Sequence, residues 1–352
     1  MDKTFNLESL IRPNIRALSP YRSARDDFDE GILLDANENS LGAPYAEAQG
    51  LHRYPSPHQP ELRQKLATFR NVRVENVFVG VGSDEAIDLL YRIFCRPGED
   101  RVIITPPTYG MYQVSADIHG VDVDEVLLDE EFQPRVEPIL EKAGPNTRLL
   151  FLCSPNNPTG NCLDPSKIET LIARFPGIVI VDEAYIDFSD QQSWAGKVTQ
   201  YPNLVVLQTM SKSFGLAGIR MGVAFASEEI IAYLMKVKAP YNINALTGSI
   251  ALKAFDHLGE IQTAIGTIKE ERLWLQKELA AFNTVRKIYP SDANFLLVQI
   301  DDARAIYQAL AGHGIIVRYR GHEPLCEDCL RITVGTRDEN KQLLNTLNEL
   351  IS

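Results

Sequence analysis

Cysteine and basic residues are scarce in this chain of 352 residues. Five cysteines are too few, and an odd number, for a disulfide framework, and they suit the reduced thiols of the cytosol. Lysines and arginines number 35 against 47 aspartates and glutamates, which gives a formal net charge of -12. Nucleic acids and anionic membranes repel such a chain, so we expect neither as a partner. Any anionic ligand must be held by local positive charge.

Long apolar runs and metal-ligand spacings are also missing. No apolar stretch approaches the roughly 18 residues of a membrane span. The first residues, MDKTFNLESLIRPN, lack the basic start and apolar centre of a signal peptide. Cys326 and Cys329 form the only CxxC, without a second pair or a histidine at zinc-finger spacing. We therefore expect a cytoplasmic protein with no membrane anchor and no metal.

Short apolar runs alternate with helical patterns over the first two thirds of the chain. This alternation predicts an α/β fold, in which a mostly parallel sheet is flanked by helices. One helix is expected from Ser83 and another from Pro165, with Asp164 as its N-cap. The predicted strands cover residues 77–81, 101–105, 149–153, 178–182, 204–209 and 222–226.

After Glu228 the pattern changes to long helical stretches and then to strands around VQI and LRITV, with a helix between them. A smaller α+β domain is therefore expected. We predict an N-terminal arm over residues 1–35 that packs on this small domain. The large domain is placed at 36–235 and the small domain at 236–352.

Four motifs follow predicted strands, where ligands bind in open α/β sheets. In GVGSDEA, Ser83 and Asp84 open a helix whose backbone N–H groups suit an anion. In SPNNPTG, Asn157 places an amide at a strand end, and in IVIVDEAY, Asp182 ends a buried strand. Taken singly, these residues also fit plain turns and caps. The functional alternative for Asp182 is a partner for the protonated ring nitrogen of a pyridinium cofactor.

The fourth motif, TMSKSFGLAGIR, combines phosphate-binding groups with an amine. Thr209, Ser211 and Arg220 supply two hydroxyls and a guanidinium, and the amine of Lys212 suits a carbonyl. Taken alone, a lysine here would more often be a solvated surface residue. The order of all four motifs along the chain is more specific than any one of them.

GSDE, NNPTG, DEAY and SKSFGLAGIR, in that order, resemble the fold-type I aminotransferases, and the match extends over nearly the whole chain. The resemblance implies pyridoxal 5'-phosphate as the cofactor. Lys212 would bind it covalently and act as the base, and Asp182 would pair with its ring nitrogen. The remaining cofactor contacts it implies are Asn157 and Tyr185 at the phenolic oxygen, Tyr109 on the ring face, and Ser83, Asp84, Thr209, Ser211 and Arg220 at the phosphate.

Within that superfamily, RALSPYRSAR, HRYPSPHQPELR, IIVR and CLRITVGT are similar to the histidinol-phosphate aminotransferases. This implies amino transfer between L-histidinol phosphate and 2-oxoglutarate. It also implies a homodimer with shared active sites, in which Tyr54 reaches the cofactor phosphate of the neighbouring subunit. The implied substrate residues are Arg331 and Arg318, with Tyr21 and Asn37 as further candidates.

Several alternatives remain open at this stage. Arg320 is an equally charged neighbour of Arg318, so the choice between them rests on motif spacing. Threonine-phosphate decarboxylase and aromatic amino-acid aminotransferase are alternative activities on the same scaffold. A cofactor-binding sensor fused to a DNA-binding module is disfavoured by the acidic composition. Ser40 follows NEN where many members have proline, and any role of Cys153 at the end of its strand stays open.

Overall fold

The computed structural model describes residues 5–28, 30–45, 48 and 50–351. Its contacts divide the chain into two compact units. The first unit comprises Met1–Arg96 and Trp194–Leu258, and the second comprises Pro97–Ser193 and Gly259–Ser352. The division into arm, large domain and small domain remains a prediction.

The first unit contains three buried strands, β1 (Val77–Val81), β6 (Leu204–Thr209) and β7 (Met221–Ala226), numbered along the whole chain. β7 pairs with both β1 and β6, and both pairings are antiparallel. The sequence analysis predicted a mostly parallel sheet, and these two pairings depart from it. The reason is the short connection between β6 and β7, because a parallel pair needs a crossover of a dozen or more residues.

Helices of the first unit pack against these strands and against the N-terminal segment. The Arg12 amide donates to Ile93 O at 3.0 Å, and the Tyr233 hydroxyl donates to Glu8 at 2.7 Å. Residues near the N-terminus are therefore tied to helices of this unit. Its α-helices are α1 (Pro13–Ala17), α2 (Ala24–Asp27), α3 (Pro60–Arg70), α4 (Gly82–Phe94), α8 (Glu228–Val237) and α9 (Ala245–Ala254).

Four parallel strands of the second unit lie in the order β5-β4-β2-β3. They are β2 (Arg101–Ile104), β3 (Asp122–Glu125), β4 (Thr147–Cys153) and β5 (Ile178–Asp182). α5 (Met111–His119), α6 (Val136–Lys142) and α7 (Pro165–Arg174) accompany them. Asp164 caps α7 as predicted, since its carboxylate accepts from the Ser166 amide at 2.8 Å. β3 was not predicted, because its sequence DVDE has no apolar run.

The second unit also holds an antiparallel sheet in the order β10-β11-β9-β8. Its strands are β8 (Val285–Ile288), β9 (Phe295–Ile300), β10 (Arg318–Tyr319) and β11 (Cys329–Thr333). α10 (Leu258–Leu279), α11 (Ala303–Gly312) and α12 (Arg337–Ile351) complete an α+β arrangement of the kind predicted. Leu275, Leu296 and Leu330 belong to its apolar core. Among the described residues, no helix is both long and apolar enough to cross a membrane.

Candidate active site

The start of α4 lies directly against β7 in the first unit. A Cβ atom on Gly222 would stand 2.0 Å from the carbonyl carbon of Gly82 and 2.1 Å from the amide nitrogen of Ser83. Only glycine can occupy this position without moving the helix start. The Gly82 amide donates to Arg220 O at 2.8 Å, and Gly82 has φ +70°, which glycine adopts without strain. Ser83 and Asp84 thus form the first turn of a helix after a strand, as predicted.

Hydroxyl and guanidinium groups gather beside this helix start. The Thr209 hydroxyl lies 3.0 Å from that of Ser211, and Arg220 Nη1 donates to Ser211 Oγ at 3.5 Å. Arg220 Nη2 also lies 3.4 Å from a carboxylate oxygen of Asp84. Two hydroxyls, a guanidinium and the N–H groups of a helix start are donors that suit a phosphate. The donor set therefore fits the phosphate end of the implied cofactor.

Lys212 immediately follows Ser211, in the turn that succeeds β6. The Gly215 amide donates to Lys212 O at 3.1 Å, which closes this turn. The residue is exposed, whereas its neighbour Ser213 is buried. The lysine is therefore carried by the same segment as the Thr209 and Ser211 hydroxyls.

In the second unit, the buried carboxylate of Asp182 stands at the end of β5 with only 3% of the residue exposed. It accepts hydrogen bonds from the Tyr112 hydroxyl at 2.7 Å and from the Ala184 amide at 3.1 Å. Burial and then the Asp182 charge raise the pKa of Tyr112, so its hydroxyl stays protonated and donates. Donated hydrogen bonds of this kind favour the ionised form of a carboxylate, which is the form that pairs with a protonated ring nitrogen.

Asn157 is held by a rigid turn after β4. Its neighbour Asn156 donates to Pro107 O and to the Thr159 hydroxyl, each at 2.8 Å. The side-chain oxygen of Asn157 accepts a short hydrogen bond from Arg331 Nη1. Because that oxygen is engaged, the amide nitrogen of Asn157 is the group left to donate to a ligand oxygen. The structure thus joins two predicted site residues that are far apart in sequence.

Two tyrosines flank these polar groups. Tyr185 is buried and its ring meets that of Phe295 edge-on, with centroids 5.2 Å apart and planes at 83°. Burial raises the pKa of the Tyr185 hydroxyl, so it is a proton donor at neutral pH. Tyr109 precedes α5, and its ring meets that of Tyr112 edge-on at a centroid distance of 5.6 Å.

Arg318 and Arg331 face each other across the β10-β11 pair. Burial lowers the pKa of Arg331, and the nearby charges of Arg320 and Arg318 lower it further. Arg320 is engaged with Glu323 at 2.6 Å, whereas Arg318 is exposed and makes no ion pair with any residue the structure describes. Two adjacent guanidiniums whose positive charge is little neutralised by acidic side chains attract an anion.

The other predicted residues lie in the first unit. Asn37 and Tyr54 line one cavity of about 230 Å³. The ring of Tyr54 stacks on that of Tyr241 with centroids 4.5 Å apart. Tyr21 is exposed, and Asn37 adopts a left-handed backbone with φ +55°.

The cysteines make no metal or disulfide site in the part of the chain that is described. All five are free and buried, and no cluster of metal-ligating side chains is present among the described residues. Burial raises the pKa of Cys329 to about 12 and also raises that of Cys326. Burial likewise raises the pKa of Cys153. Neutral, inert thiols are expected at these three positions.

These clusters agree with a match over most of the chain to a known family. A model of the aminotransferase class I and II family matches residues 28–347. The chain belongs to this family. The histidinol-phosphate aminotransferase of Christiangramia forsetii is 49% identical to this aminotransferase over 352 residues, covering 99% of each chain.

Solved structures agree with the fold. The aminotransferase resembles the histidinol-phosphate aminotransferase of Sinorhizobium meliloti in complex with pyridoxal-5'-phosphate, with a TM-score of 0.80 at 24% identity over 90% of this chain and 89% of the other. The L-threonine-O-3-phosphate decarboxylase of Porphyromonas gingivalis gives 0.73 at 21% identity, over 85% and 91%. The predicted fold class and the predicted resemblance are confirmed.

The motif analysis of this aminotransferase missed Tyr112 and Gly222. Tyr112 stands three residues after Tyr109 within PPTYGMY, so the motif contained both tyrosines, but nothing local indicates that the second one bonds Asp182. Gly222 opens the apolar run GVAFA, where a glycine in a strand signals close backbone approach. That signal was available and was not used.

Proposed function

We propose that this aminotransferase transfers an amino group between L-histidinol phosphate and 2-oxoglutarate, giving imidazole-acetol phosphate and L-glutamate in histidine biosynthesis. The observation that carries the proposal is the 49% sequence identity, over 99% of each chain, to the histidinol-phosphate aminotransferase of Christiangramia forsetii. The arginine pair on β10 and β11 supports it, because a phosphorylated substrate needs local positive charge in a chain of net charge -12.

The cofactor is pyridoxal 5'-phosphate. When bound, it supplies a carbonyl that takes up the amino group and a ring that accepts electrons from the substrate carbon. The residues that would hold its phosphate are at the start of α4 and after β6. They are Ser83, Asp84, Thr209, Ser211 and Arg220.

Lys212 would anchor the cofactor through its side-chain nitrogen. Once substrate displaces it, Lys212 Nζ is the base that accepts the proton from the amine-bearing carbon of the substrate. Its place beside the phosphate-binding hydroxyl of Ser211 supports this role, because the anchor and the phosphate donors then share one rigid turn.

Residues of the second unit would control the charge on the cofactor ring. Asp182 would hold a proton on the ring nitrogen, and the hydrogen bonds that it accepts from Tyr112 and from a backbone amide favour the ionised carboxylate that this role needs. Asn157 and Tyr185 would donate hydrogen bonds to the phenolic oxygen. Tyr109 would cover the ring face.

Arg331 and Arg318 would bind the phosphate of L-histidinol phosphate, and Arg331 would bind the glutamate carboxylate in the other half-reaction. Their planar guanidiniums suit both anions. Arg318 is preferred to Arg320, because Glu323 already neutralises Arg320. Tyr21 and Asn37 are proposed as further substrate contacts.

We infer that the active protein is a homodimer in which Tyr54 contacts the cofactor phosphate of the neighbouring subunit. Support comes from large apolar side chains on residues 28–54, where Ile32 is 92% exposed and Leu41 95% exposed. Such clustering of exposed apolar surface marks an interaction site. Sedimentation velocity should give about twice the chain mass, and a monomer would contradict the shared site. The buried, free cysteines support a cytoplasmic location.

Steady-state kinetics of the cofactor-loaded protein test the proposed substrate. With 2-oxoglutarate as acceptor, kcat/KM for L-histidinol phosphate should exceed that for phenylalanine by roughly 100-fold or more, because phenylalanine has no phosphate to engage Arg318 and Arg331 together. Release of carbon dioxide from threonine phosphate without any keto acid would instead support the decarboxylase. Equal use of phenylalanine would support the aromatic aminotransferase.

A further inference from the structure

A cluster of four charged side chains, two of them buried, lies near Tyr54 in the first unit. The carboxylate oxygen Oε2 of Glu38 accepts from Arg53 Nη1 at 2.6 Å and from Arg25 Nη2 at 3.1 Å. Arg25 Nη2 also lies 2.8 Å from Asp35 Oδ1. The side chains of Glu38 and Arg25 are 3% and 4% exposed. Charges this deeply buried are tolerated only when they are paired and hydrogen-bonded.

The second carboxylate oxygen of Glu38 is used as well. Glu38 Oε1 accepts from the backbone amide of Tyr54 at 2.8 Å. This bond is the largest cause of a pKa lowered to about 2 at Glu38, so the group is ionised at neutral pH. One carboxylate therefore joins the backbone at Tyr54 to the guanidiniums of Arg25 and Arg53.

The same cluster fixes the neighbouring backbone. Arg25 Nη1 donates to Phe28 O at 2.8 Å, and Arg53 Nη1 donates to Leu33 O at 3.1 Å. Tyr54 is held on one side by Glu38 and on the other by the stacked ring of Tyr241. Tyr54 is nevertheless 49% exposed. A residue that contacts a neighbouring subunit needs such exposure.

We propose that Glu38 is a positioning residue for cofactor binding, which acts by fixing the backbone of Tyr54 so that its side chain can reach the neighbouring subunit's cofactor phosphate. This inference rests on the proposed role of Tyr54. A carboxylate is required because three donors converge on its two oxygens, and a neutral amide would turn a donor of its own toward a guanidinium. Misplacement of a binding group by about 1 Å is enough to cost much of its effect.

The first test compares Glu38→Gln with Asp35→Asn. Both remove one negative charge from the same cluster, but only Glu38 contacts Tyr54. Titration of the apo-dimer with pyridoxal 5'-phosphate, followed by absorbance, should give a cofactor Kd raised roughly tenfold for Glu38→Gln. Asp35→Asn should stay within about twofold of the unmodified protein. Equal effects of the two variants would overturn the inference.

A double-mutant cycle with Tyr54→Phe separates positioning from general destabilisation. If Glu38 acts through Tyr54, the double variant Glu38→Gln/Tyr54→Phe should bind the cofactor no more weakly than Tyr54→Phe alone. Additive losses would show that Glu38 acts elsewhere and would overturn the inference. No loss in Tyr54→Phe itself would sink the proposed role of Tyr54, and the inference with it. No loss in Glu38→Gln beside a loss in Tyr54→Phe would sink the inference alone.

If Glu38→Gln does not fold, Glu38→Asp can be used as the test variant in its place. The shorter acid keeps the negative charge opposite Arg25 and Arg53, but its carboxylate cannot span all three donors. We expect the cofactor Kd of Glu38→Asp to rise severalfold and Tm, measured in parallel, to change little. Adding Glu38→Asp to Tyr54→Phe should not weaken cofactor binding further. A large fall in Tm with unchanged cofactor affinity would indicate a purely structural role and overturn the inference.

Discussion

Asp182 depends on a neighbour that no motif identifies. Its carboxylate was predictable from IVIVDEAY, because a buried acid at a strand end needs a partner. The partner that the structure supplies is Tyr112, 70 residues away in sequence, with its ring stacked on Phe151 at 4.6 Å. The tyrosine therefore helps to fix the position of the acid, and its donated hydrogen bond favours the ionised carboxylate.

Replacing Tyr112 by phenylalanine should slow catalysis while sparing substrate binding. Loss of a hydrogen bond to a charged group corresponds to roughly a tenfold fall in kcat. Without the donated bond, Asp182 binds a proton more tightly and withdraws it from the cofactor ring nitrogen. With ¹⁵N-labelled cofactor, the ring-nitrogen resonance should therefore shift toward the value of neutral pyridine.

Tyr289→Phe is the matched control, because it removes another largely buried tyrosine hydroxyl, from the cluster around Leu297. It should leave kcat and the nitrogen resonance unchanged. An unchanged resonance in Tyr112→Phe would show that the tyrosine does not act on the proton of the ring nitrogen.

Arg318 and Arg320 differ in their existing partners, and this difference can be measured. Arg318→Met should raise KM for L-histidinol phosphate by roughly tenfold or more with a smaller change in kcat, because it removes an uncommitted guanidinium beside Arg331. Arg320→Met should lower Tm and change KM less, since it strands the carboxylate of Glu323. The reverse pattern of KM values would assign the substrate phosphate to Arg320.

At the scale of elements, the proposed phosphate-binding turn is built on the contact between β7 and α4. The helix begins where it does because Gly222 has no side chain to push Gly82 and Ser83 away. The packing of β7 against the start of α4 therefore shapes the proposed binding site. The contact itself is between backbones and involves no catalytic side chain.

Gly222→Ala should weaken cofactor binding by displacing the start of α4. The added methyl would fall 2.1 Å from the Ser83 nitrogen, far inside van der Waals contact, so the helix start must move. We expect the cofactor Kd to rise by roughly tenfold or more. Gly218→Ala, in the same β6-β7 connection, meets nothing within 4 Å and should bind normally. Equal affinities for both variants would contradict this account of the turn.

Helices and strands were predictable from the sequence where a local pattern of apolar or capping residues determines them. All six apolar runs form strands, and Asp164 caps its helix, because burial and capping act over short distances. β3 was not predicted, since its charged sequence is held only by pairing with β2. The antiparallel pairing of β7 was also missed, because strand direction depends on how the chain returns after β6.

At the scale of the whole molecule, the net charge is -12, yet Arg318 and Arg331 lie opposite each other on neighbouring strands. The order of the motifs predicted candidate cofactor residues at strand ends and at a helix start. The motifs did not predict residues that hold the candidate site residues in place, such as Glu38, which bonds the Tyr54 amide. Such contacts depend on the folded chain and have no local sequence pattern. The assignment of site residues to one cofactor therefore remains a proposal.

The most direct test of the central claim is a single half-reaction without acceptor. The cofactor-loaded protein is mixed with excess L-histidinol phosphate, and imidazole-acetol phosphate is quantified. An aminotransferase retains the amino group, so we predict one product per subunit and then no further reaction until 2-oxoglutarate is added. Continued turnover without 2-oxoglutarate, or no product at all from a loaded protein, would contradict the account.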